Sequence, residues 1–574
     1  MDKNSQPSSD RITSFNYGWL LAAIISLYVL YAGVYAGDSS FEFGGHTWFC
    51  LNDDPMISMR YGRNLAQGYG LVFNPGGERV EGYSNLGYVL LMALLHLLPI
   101  PEHIISLPII LCGILWVVLL LYLSNNIANL LVGKKSWAGP GASLLVGTSL
   151  SLTYWSVSGF EAGLVALFVT YGIWQSLKNL FTKENSCSWI VLFSLGLLMR
   201  PDFLLFYILI MGFYISSLPQ STRKVPAMVS VVLLFLLVGG QLIHRLIYFD
   251  HFWPCTYYLK MTNFPLHLRL ARGIFVTLIY LLILSPILII GLLNYSRTRN
   301  TAPRYALLIP LTFCLALLSN IYVGGDVWEF DNGSTNRFII YAMPAFYAWI
   351  MFCFYGLSRE LKLSLLAICG VLIILCTAQN FVGVRFFMQL PITVDYLNSK
   401  VQKYEGALLY PLHTRIAKAI QRVTTPEAKI AVNLAGIFPY FADRYCIDMM
   451  GKNDYTIARS RGHNLAEVVP GIPFFAAFHP GHTKWSLEHS LLKQQPDIIF
   501  YMWFLYSRAE LVKFDRETDY IKVIIDLDRH FHQIKQVNYH KMRPFYFLKN
   551  STHIKWDTFK LFQLEPDLYF FSLD

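Results

Sequence analysis

Charged side chains are scarce in this sequence of 574 residues. Asp, Glu, Lys and Arg make up 14% of it and hydrophobic residues 55%, whereas soluble domains carry roughly 25% charged residues. The formal net charge of +10 could suggest a nucleic-acid partner. The Lys and Arg residues, however, form short clusters between apolar runs, which is typical of membrane topology, so we expect membrane lipid and no nucleic acid as partner.

Other signals are missing as well. The nine Cys residues include no C-x-x-C pair and no metal-type cluster, and most lie in or beside apolar runs, which favours ordinary packing. No internal repeat, low-complexity segment or nucleotide-phosphate loop is present. The first apolar run lacks a small-residue cleavage site, so it is predicted to be retained as a helix.

Long apolar runs predict about eleven membrane-spanning helices. A further run, Leu86 to Leu98, is short for a span and is followed by Pro99 and Pro101, so we predict an interfacial or re-entrant helix there. The eleven predicted spans are residues 17–35, 104–131, 142–155, 160–177, 189–199, 203–215, 225–247, 274–293, 305–322, 338–357 and 361–378.

Alternate connections between these runs carry the excess of positive charge, as cytoplasmic loops do. With an odd number of spans, everything after residue 378 is then extracytoplasmic. We therefore predict a multi-pass protein of the cell (inner) membrane, with a membrane domain at 1–380 and an extracytoplasmic domain at 381–574. The positive clusters are Lys3 and Arg11, Lys134 and Lys135, Lys178 and Lys183, Arg223 and Lys224, Arg297, Arg299 and Arg304, and Arg359 and Lys362.

The part beyond residue 378 has short, strand-like apolar runs separated by helical stretches. These runs are Lys429 to Leu434, Asp497 to Tyr501 and Tyr520 to Ile525. They predict an α/β domain, and because no long linker precedes it, we expect it to pack on the membrane part.

The predicted outer connections hold nearly every unusual polar cluster, and the first outer loop, residues 38–85, holds the acidic pair Asp53-Asp54. Asp54 before Pro55 could begin a helix, with the Asp as its cap. That interpretation explains one carboxylate and leaves the other unexplained. A carboxylate is also a suitable general base for a sugar hydroxyl, and nearby guanidinium groups could neutralise a phosphate, so both interpretations stay open.

The same loop carries a long motif that resembles the first outer loop of GT-C class glycosyltransferases, most closely the mycobacterial-type terminal arabinofuranosyltransferases. The matching positions are Asp53-Asp54-x-x-Ile57-Ser58-x-Arg60-Tyr61-x-Arg63-Asn64-Leu65-Ala66-x-Gly68-x-Gly70-Leu71-Val72-Phe73-Asn74 and Gly77-Glu78-x-Val80-Glu81-Gly82-Tyr83-Ser84-Asn85. Shorter matches follow at Trp155-Ser156-x-Ser158-Gly159-x-Glu161, Arg200-Pro201-Asp202, Pro254-x-Thr256-Tyr257-Tyr258-x-Lys260, Gly324-Gly325-Asp326, Arg337-Phe338, Gly436-x-x-Pro439-Tyr440, Asp448-x-x-Gly451-x-Asn453-Asp454 and Pro480-Gly481-His482-x-Lys484. Pro55 and Cys255 depart from the pattern, which bears on the identity of the sugar.

The resemblance implies an α-helical, GT-C-like enzyme that moves a sugar, such as arabinofuranose, from a polyprenyl-phosphate donor to a glycan or glycolipid acceptor with inversion. The missing nucleotide loop agrees with a lipid-linked donor. Two alternatives stay open. One is a related mannosyl-type transferase that uses a polyprenyl-phosphate hexose and modifies protein or lipid. The other is a transporter or flippase for a lipid-linked sugar, although transporters usually have repeated halves around midplane sites.

Carried over residue by residue, the resemblance makes Asp53 or Asp54 the catalytic base, without choosing between them. Cations should lie by the departing phosphate and carboxylates by the sugar and acceptor. The candidate phosphate ligands are Arg60, Arg63, Arg200, Lys260 and Arg337; the alternatives are a structural ion pair of Arg200 with Asp202 and snorkelling at the lipid headgroups.

The candidate sugar or acceptor ligands are Glu81, Tyr83, Asn85, Trp155, Glu161, Asp202, Tyr257, Asp326 and His482. Each has a structural alternative: a helix cap for Glu161, an interfacial aromatic belt for the Tyr and Trp residues, and an ordinary surface loop for His482. No metal or other cofactor is demanded. Asp53, Asp54 and Asp326 could hold a divalent cation only if the fold brought them together, since their spacing is not that of a known metal motif.

Overall fold

The computed structural model describes residues 16–184, 186–298, 304–327, 337–378, 405–465, 478–500, 513–514, 518–525 and 544–572. Lys3, Arg11 and Arg299, used above for topology, lie outside the described residues, as does the predicted domain boundary near residue 380. The helices before that boundary are α1 (Tyr17–Asp38), α2 (Asp53–Ala66), α3 (Leu86–His96), α4 (Leu107–Val132), α5 (Ala138–Gly147), α6 (Leu150–Val157), α7 (Ala162–Thr182), α8 (Ser188–Ser194), α9 (Phe203–Ser217), α10 (Lys224–Leu234), α11 (Gly240–Phe249), α12 (Cys255–Met261), α13 (Leu266–Ile283), α14 (Ser285–Thr298), α15 (Leu308–Val323), α16 (Met343–Glu360) and α17 (Leu365–Ala378).

Several of these helices have the length and the apolar surface that a lipid bilayer requires. Five stretches within the described residues are long and apolar enough to cross a membrane, and α6 with α7, bent by 118°, gives a sixth if the pair is one span. In the most apolar part of the stretch Lys224–Phe249 only 11% of the residues are buried against protein. Such an apolar surface needs a hydrocarbon environment. The chain is therefore a multi-pass membrane protein, and the count of eleven spans stays a prediction. The five stretches are Tyr17–Gly37, Leu107–Val132, Lys224–Phe249, Leu266–Ile283 and Arg304–Val323.

The helix predicted to begin at the acidic pair is α2, but the prediction of Asp54 as its N-cap residue is wrong. Asn52, not Asp54, is the N-cap residue, and its side chain accepts a hydrogen bond from the Asp53 backbone N–H at 2.6 Å. Asp53 and Asp54 occupy the first turn, where the positive end of the helix dipole favours carboxylates. Capping therefore explains neither carboxylate.

The short helix α3 packs against α2. Its eleven residues are too few to cross a bilayer. Leu90 and Leu94, on one face, are exposed, whereas Tyr88, Val89 and Met92 are fully buried. An interfacial or re-entrant position for α3 stays a prediction.

The C-terminal part forms a seven-stranded mixed sheet in the order β4-β3-β5-β7-β6-β9-β8. A strand lies in each of the three predicted strand-like runs, and β3 is parallel to both β4 and β5. With a two-stranded ribbon β1 (Phe41–Phe43) and β2 (His46–Trp48) in the first loop, the remaining elements are α18 (Glu405–Val423), β3 (Lys429–Val432), α19 (Ile437–Ala442), β4 (Tyr445–Asp448), α20 (Tyr455–Ala458), β5 (Ile498–Ile499), β6 (Tyr520–Ile525), β7 (Phe545–Leu548), β8 (Lys560–Glu565) and β9 (Leu568–Ser572).

This sheet domain is fastened to the first loop through Arg60, whose side chain is buried to 1% exposure. Its guanidinium donates to the Phe73 carbonyl at 2.6 Å, the Asn74 Oδ1 at 2.9 Å and the Arg444 carbonyl at 2.8 Å, and also to the Pro439 carbonyl. One cation thus joins the loop after α2 to the segment around α19. The contact agrees with the expected packing of the two parts.

We predict that Arg60→Met destabilises the protein by at least about 3 kcal/mol, because four buried or partly buried acceptors lose their donor. The unfolding temperature of the purified protein in detergent measures this. Arg422→Met is the matched control, since Arg422 is exposed on α18. Equal unfolding temperatures for the two variants would contradict a fastening role for Arg60.

Candidate functional site

A polar cavity lies between the start of α2, the turn before α9, helix α12 and the sheet domain. Its empty volume is about 720 Å³ with the open mouth included. Nine of the sixteen residues predicted for the site line it, and they come from both parts of the chain. The nine are Asp54, Tyr83, Asn85, Glu161, Arg200, Lys260, Asp326, Arg337 and His482.

Asp54 is the carboxylate of the acidic pair that faces this cavity, with 35% of its side chain exposed. One oxygen pairs with the Lys452 ammonium, and the other lies 3.7 Å from Nη1 of Arg337. Burial acts to raise the pKa of Asp54, but Lys452 and Arg337 outweigh it and hold that pKa below its ordinary value. Asp54 is thus an ionised carboxylate beside the open space.

Asp53 points the other way and does not line the cavity. Its Oδ1 accepts hydrogen bonds from the backbone N–H groups of Gly436 at 3.2 Å and Ile437 at 2.9 Å. A Cβ on Gly436 would lie 1.7 Å from the Asp53 carbonyl oxygen, so only glycine allows this approach. Burial raises the pKa of Asp53 to about 6 against the opposing effect of Lys452. Asp53 therefore joins α2 to the sheet domain.

Arg337 is the central cation of the site. Its Nη2 lies 3.4 Å from an oxygen of Asp326, and its guanidinium lies over the rings of Trp155 and Phe160 at 5.0 and 5.2 Å. Rings on a guanidinium face stabilise the charge while leaving its edge free to bind oxygen atoms. Trp155 is fully buried beneath Arg337 and does not itself line the cavity.

Arg200 is held between two carboxylates. Its Nη1 lies 2.6 Å from Glu161 and its Nε 2.8 Å from Asp202. Glu161 stands at the N-cap position of α7 but makes no capping hydrogen bond; its second oxygen accepts from Asn85 at 3.0 Å. The structural ion pair expected of Arg200 and Asp202 is thus present, and Glu161 extends it into the cavity wall.

Lys260, on α12, differs from these cations. Among the described residues its ammonium has no hydrogen-bond or ion-pair partner, and it lies 5.6 Å from the centre of the Phe338 ring. Burial, followed by the nearby charges of Arg337 and Arg200, lowers the pKa of Lys260 to about 8. The site therefore offers one cation that no carboxylate neutralises by contact, which is where an anion would be stabilised most.

His482 lines the cavity rather than an open surface, contrary to the surface-loop alternative. Its Nδ1 lies 3.2 Å from the Pro480 carbonyl oxygen. Burial and the nearby Lys452 lower the pKa of His482 to about 3, so the ring is neutral at ordinary pH. It can exchange hydrogen bonds with hydroxyl groups but adds no charge to the site.

Seven predicted residues lie outside the cavity lining. Arg60 holds the interface described above, and Arg63 donates to the Tyr440 carbonyl and to Asp443, both at 2.8 Å; the geometry does not support either as a phosphate ligand. The other five are Asp53, Glu81, which pairs with Arg245 at 2.8 Å, Trp155, Asp202, and Tyr257, which stacks on Trp253 with centroids 4.4 Å apart.

Sequence reasoning missed Lys452, the residue that contacts Asp54. Lys452 fell on an unassigned position of the motif Asp448-x-x-Gly451-x-Asn453-Asp454, and only its place inside that motif could have indicated a role. Ser58 and Thr256, which also line the cavity, were likewise inside matched motifs without an assigned function.

A metal site is not assembled by the residues described. Among them no three His, Cys, Asp or Glu side chains are grouped so that they could hold a metal ion. Asp53 faces backbone N–H groups, whereas Asp54 and Asp326 lie on either side of Arg337. The condition set for a shared divalent cation, that the three carboxylates come together, is not met by this arrangement.

The fold has parallels among solved structures. The Archaeoglobus fulgidus oligosaccharyltransferase, in its complex with zinc and sulfate, superposes with a TM-score of 0.51 at 11% identity over 88% of this chain and 72% of that one. Its apo form gives 0.50, again at 11% identity, over 85% and 69%. At such identity the likeness shows the fold alone. The chain thus shares its fold with this oligosaccharyltransferase, which agrees with the GT-C-like fold that the sequence resemblance implied.

Other comparisons are narrower. ArnT from Cupriavidus metallidurans bound to undecaprenyl phosphate aligns over 75% of this chain and 86% of the ArnT chain, at 12% identity. Its TM-score of 0.40 supports no conclusion about this protein. Residues 399–556 match a domain of unknown function, DUF8728. That match spans less than half of the chain, so it defines a domain and not a family for the whole. No curated protein sequence matches.

We predict that Glu161→Gln destabilises the protein by about 3 kcal/mol, because Arg200, whose side chain is only 13% exposed, is left with Asp202 as its single carboxylate partner. Thermal unfolding in detergent measures the change. Glu184→Gln is the control, since Glu184 is 50% exposed and pairs with Lys178 at 3.2 Å, a surface contact worth roughly 0.5 kcal/mol. If both variants unfold at the wild-type temperature, Arg200 does not depend on Glu161.

Proposed function

We propose that this protein is an inverting glycosyltransferase that takes a sugar from a polyprenyl-phosphate donor at the extracytoplasmic face of the membrane. The observation that carries the proposal is one cavity in which an ionised carboxylate, Asp54, and an unneutralised ammonium, Lys260, stand together beside Arg337. The fold shared with a solved oligosaccharyltransferase and the apolar, membrane-spanning helices of the chain support it.

Asp54 is the base in this mechanism. An acceptor hydroxyl above it attacks the anomeric carbon of the sugar from the face opposite the phosphate, and Asp54 Oδ takes the hydroxyl proton as the new glycosidic bond forms. The low pKa of Asp54 suits a reaction in which positive charge develops on the sugar first, because the carboxylate stays ionised until the attacking hydroxyl becomes acidic enough to give up its proton. Asp53, engaged by backbone N–H groups, takes no part in proton transfer.

Lys260 and Arg337 receive the leaving group. As the bond from the anomeric carbon to the phosphate oxygen breaks, the polyprenyl phosphate gains a second negative charge, and a fixed cation stabilises that charge more than it stabilises the bound donor. Arg200, already paired with two carboxylates, supports the wall and contributes less.

The acceptor and donor approach from different directions. The polyprenyl chain reaches the cavity laterally from the bilayer, while a glycan or glycolipid acceptor arrives from the aqueous side, past the neutral His482 and the hydroxyls of Ser58 and Thr256. Arabinofuranose is the sugar that the sequence resemblance favours; a hexose is the alternative. Incubation of the purified protein with a panel of synthetic polyprenyl-phosphate sugars, with mass analysis of the released lipid phosphate, tests the function and names the donor.

We predict that Asp54→Asn lowers the turnover number for sugar transfer by at least about 100-fold, the size typical of a lost general base. Asp53→Asn should keep most of the turnover and instead lower the unfolding temperature, because two backbone donors lose a charged acceptor. Release of polyprenyl phosphate in initial-rate assays measures the first effect. The reverse pattern, with Asp53 essential and Asp54 dispensable, would exclude this assignment.

We predict that Lys260→Met weakens binding of polyprenyl phosphate by at least about tenfold. Because the pKa of Lys260 lies near 8, wild-type affinity should be highest below that pH and fall as the pH rises through it, as the ammonium loses its proton. In the variant the affinity should no longer change across that range. Isothermal titration calorimetry in detergent measures both.

Lys224→Met is the control, since Lys224 is exposed at the start of α10. Its variant should bind polyprenyl phosphate as the wild type does, with the same decline above pH 8. An unchanged pH dependence in Lys260→Met would show that another group binds the phosphate.

A further inference from the structure

The two carboxylates at the start of α2 are held by one edge of the sheet domain. Strands β3 and β4 are adjacent and parallel, with Val432 opposite Asp448, so their carboxyl ends lie side by side. The segment after β3 supplies the N–H groups of Gly436 and Ile437 to Asp53. The segment after β4 supplies Lys452 to Asp54. In open α/β sheets this edge is where ligands bind.

The loop that carries Lys452 is rigid for identifiable reasons. Asp448, at the end of β4, accepts hydrogen bonds from the Met450 N–H at 3.0 Å, the Asn453 N–H at 2.8 Å and the Asn453 Nδ2 at 2.9 Å. Gly451 adopts a left-handed conformation with φ of 75°, which an L side chain would rarely tolerate. Lys452 is therefore aimed at Asp54 by the fold of its own domain.

A second contact links the sheet domain to helix α12, which bears the proposed phosphate ligand Lys260. Lys484 is fully buried and donates to the Tyr258 carbonyl of α12 at 2.9 Å and to the Ala458 carbonyl at 2.7 Å. The ammonium of Lys260 extends from the same helix α12. Gly481 lies beside it, since a Cβ added to Gly481 would be 3.5 Å from the Lys260 Cε. The sheet domain thus touches the elements that bear both the base and the free cation.

We propose that the sheet domain, which contains the match to the domain of unknown function, is an obligatory half of the active site, and that Lys452 is the positioning residue that fixes the orientation and charge of Asp54. The proposal rests on the proposed function of Asp54 as the base. It assigns a role to the domain: its carboxyl edge binds the acidic pair of the membrane domain as other α/β domains bind a ligand.

Removal of Lys452 should shift the pKa of Asp54 in a direction that its remaining neighbours determine. The charged or titratable groups facing Asp54 are Lys452 and His482 of the sheet domain, Arg337 before α16, Lys260 of α12 and the neighbouring Asp53. Without Lys452, Arg337 at 3.7 Å is the remaining close cation and Asp53 repels. Loss of an opposite charge at contact raises a carboxylate pKa by roughly 1 to 3 units.

The first test needs no substrate. The unfolding temperatures of purified full-length wild type, Asp54→Asn, Lys452→Met and the double variant form a double-mutant cycle. We expect the decrease caused by Lys452→Met to be at least about twofold smaller in the Asp54→Asn background, because the partner is already gone. Equal decreases in the two backgrounds would overturn the contact. Should Lys452→Met not fold, Lys452→Gln takes its place.

The second test uses the pH dependence of the turnover number with the donor identified from the panel. In Lys452→Met we expect turnover at pH 7 to fall by about tenfold or more and the acid limb to move to higher pH by at least about one unit. Lys452→Arg should restore the position of the limb. Lys493→Met, at a lysine that is 67% exposed in the same domain, should match the wild type.

The outcomes separate the two proposals. An active Lys452→Met variant with the wild-type acid limb would overturn the role of Lys452 while leaving the enzyme function intact. A wild type that transfers sugar from no donor would overturn the proposed function, and the thermal cycle would still decide whether the sheet domain holds Asp54.

Discussion

Compensation of charge around the first turn of α2 is the constraint on which the rest of the structure depends. Two adjacent carboxylates beside buried apolar residues would repel each other and lose their hydration, a cost that the protein offsets by turning them apart. Asp53 receives neutral N–H donors, and Asp54 receives two cations. Because these partners come from the sheet domain and from the connection before α16, satisfying the pair brings distant parts of the chain together.

The contacts of each cation distinguish those that stabilise the structure from those available to bind a ligand. Arg60, Arg63 and Arg200 each donate hydrogen bonds to carbonyl or carboxylate oxygens, so each holds two parts of the structure together. Lys260 has no such partner among the described residues. A site with balanced charge, in which one ammonium has no carboxylate in contact among the described residues, suits an anion that gains charge during a reaction better than one that binds and remains.

Both parts of the chain supply residues that line the cavity. The part before residue 380 contributes Asp54, Lys260 and Arg337, and the sheet domain contributes Lys452, His482 and the contact from Lys484 to α12. Buried polar contacts of this kind are costly when one partner is missing, so the position of each part depends on the other.

Sequence alone determined that the chain lies in a membrane, because composition and long apolar runs depend on local residues. It also determined the GT-C likeness, the strands after residue 378 and nine of the residues that line the cavity. Tertiary structure decided which aspartate faces the cavity, that Asn52 caps α2, and that Arg60 and Arg63 bind backbone carbonyls of the sheet domain. It also revealed Lys452, about 400 residues away from its partner Asp54. These features depend on which side chains meet across the fold, and neither spacing nor periodicity along the chain encodes contacts between residues so far apart.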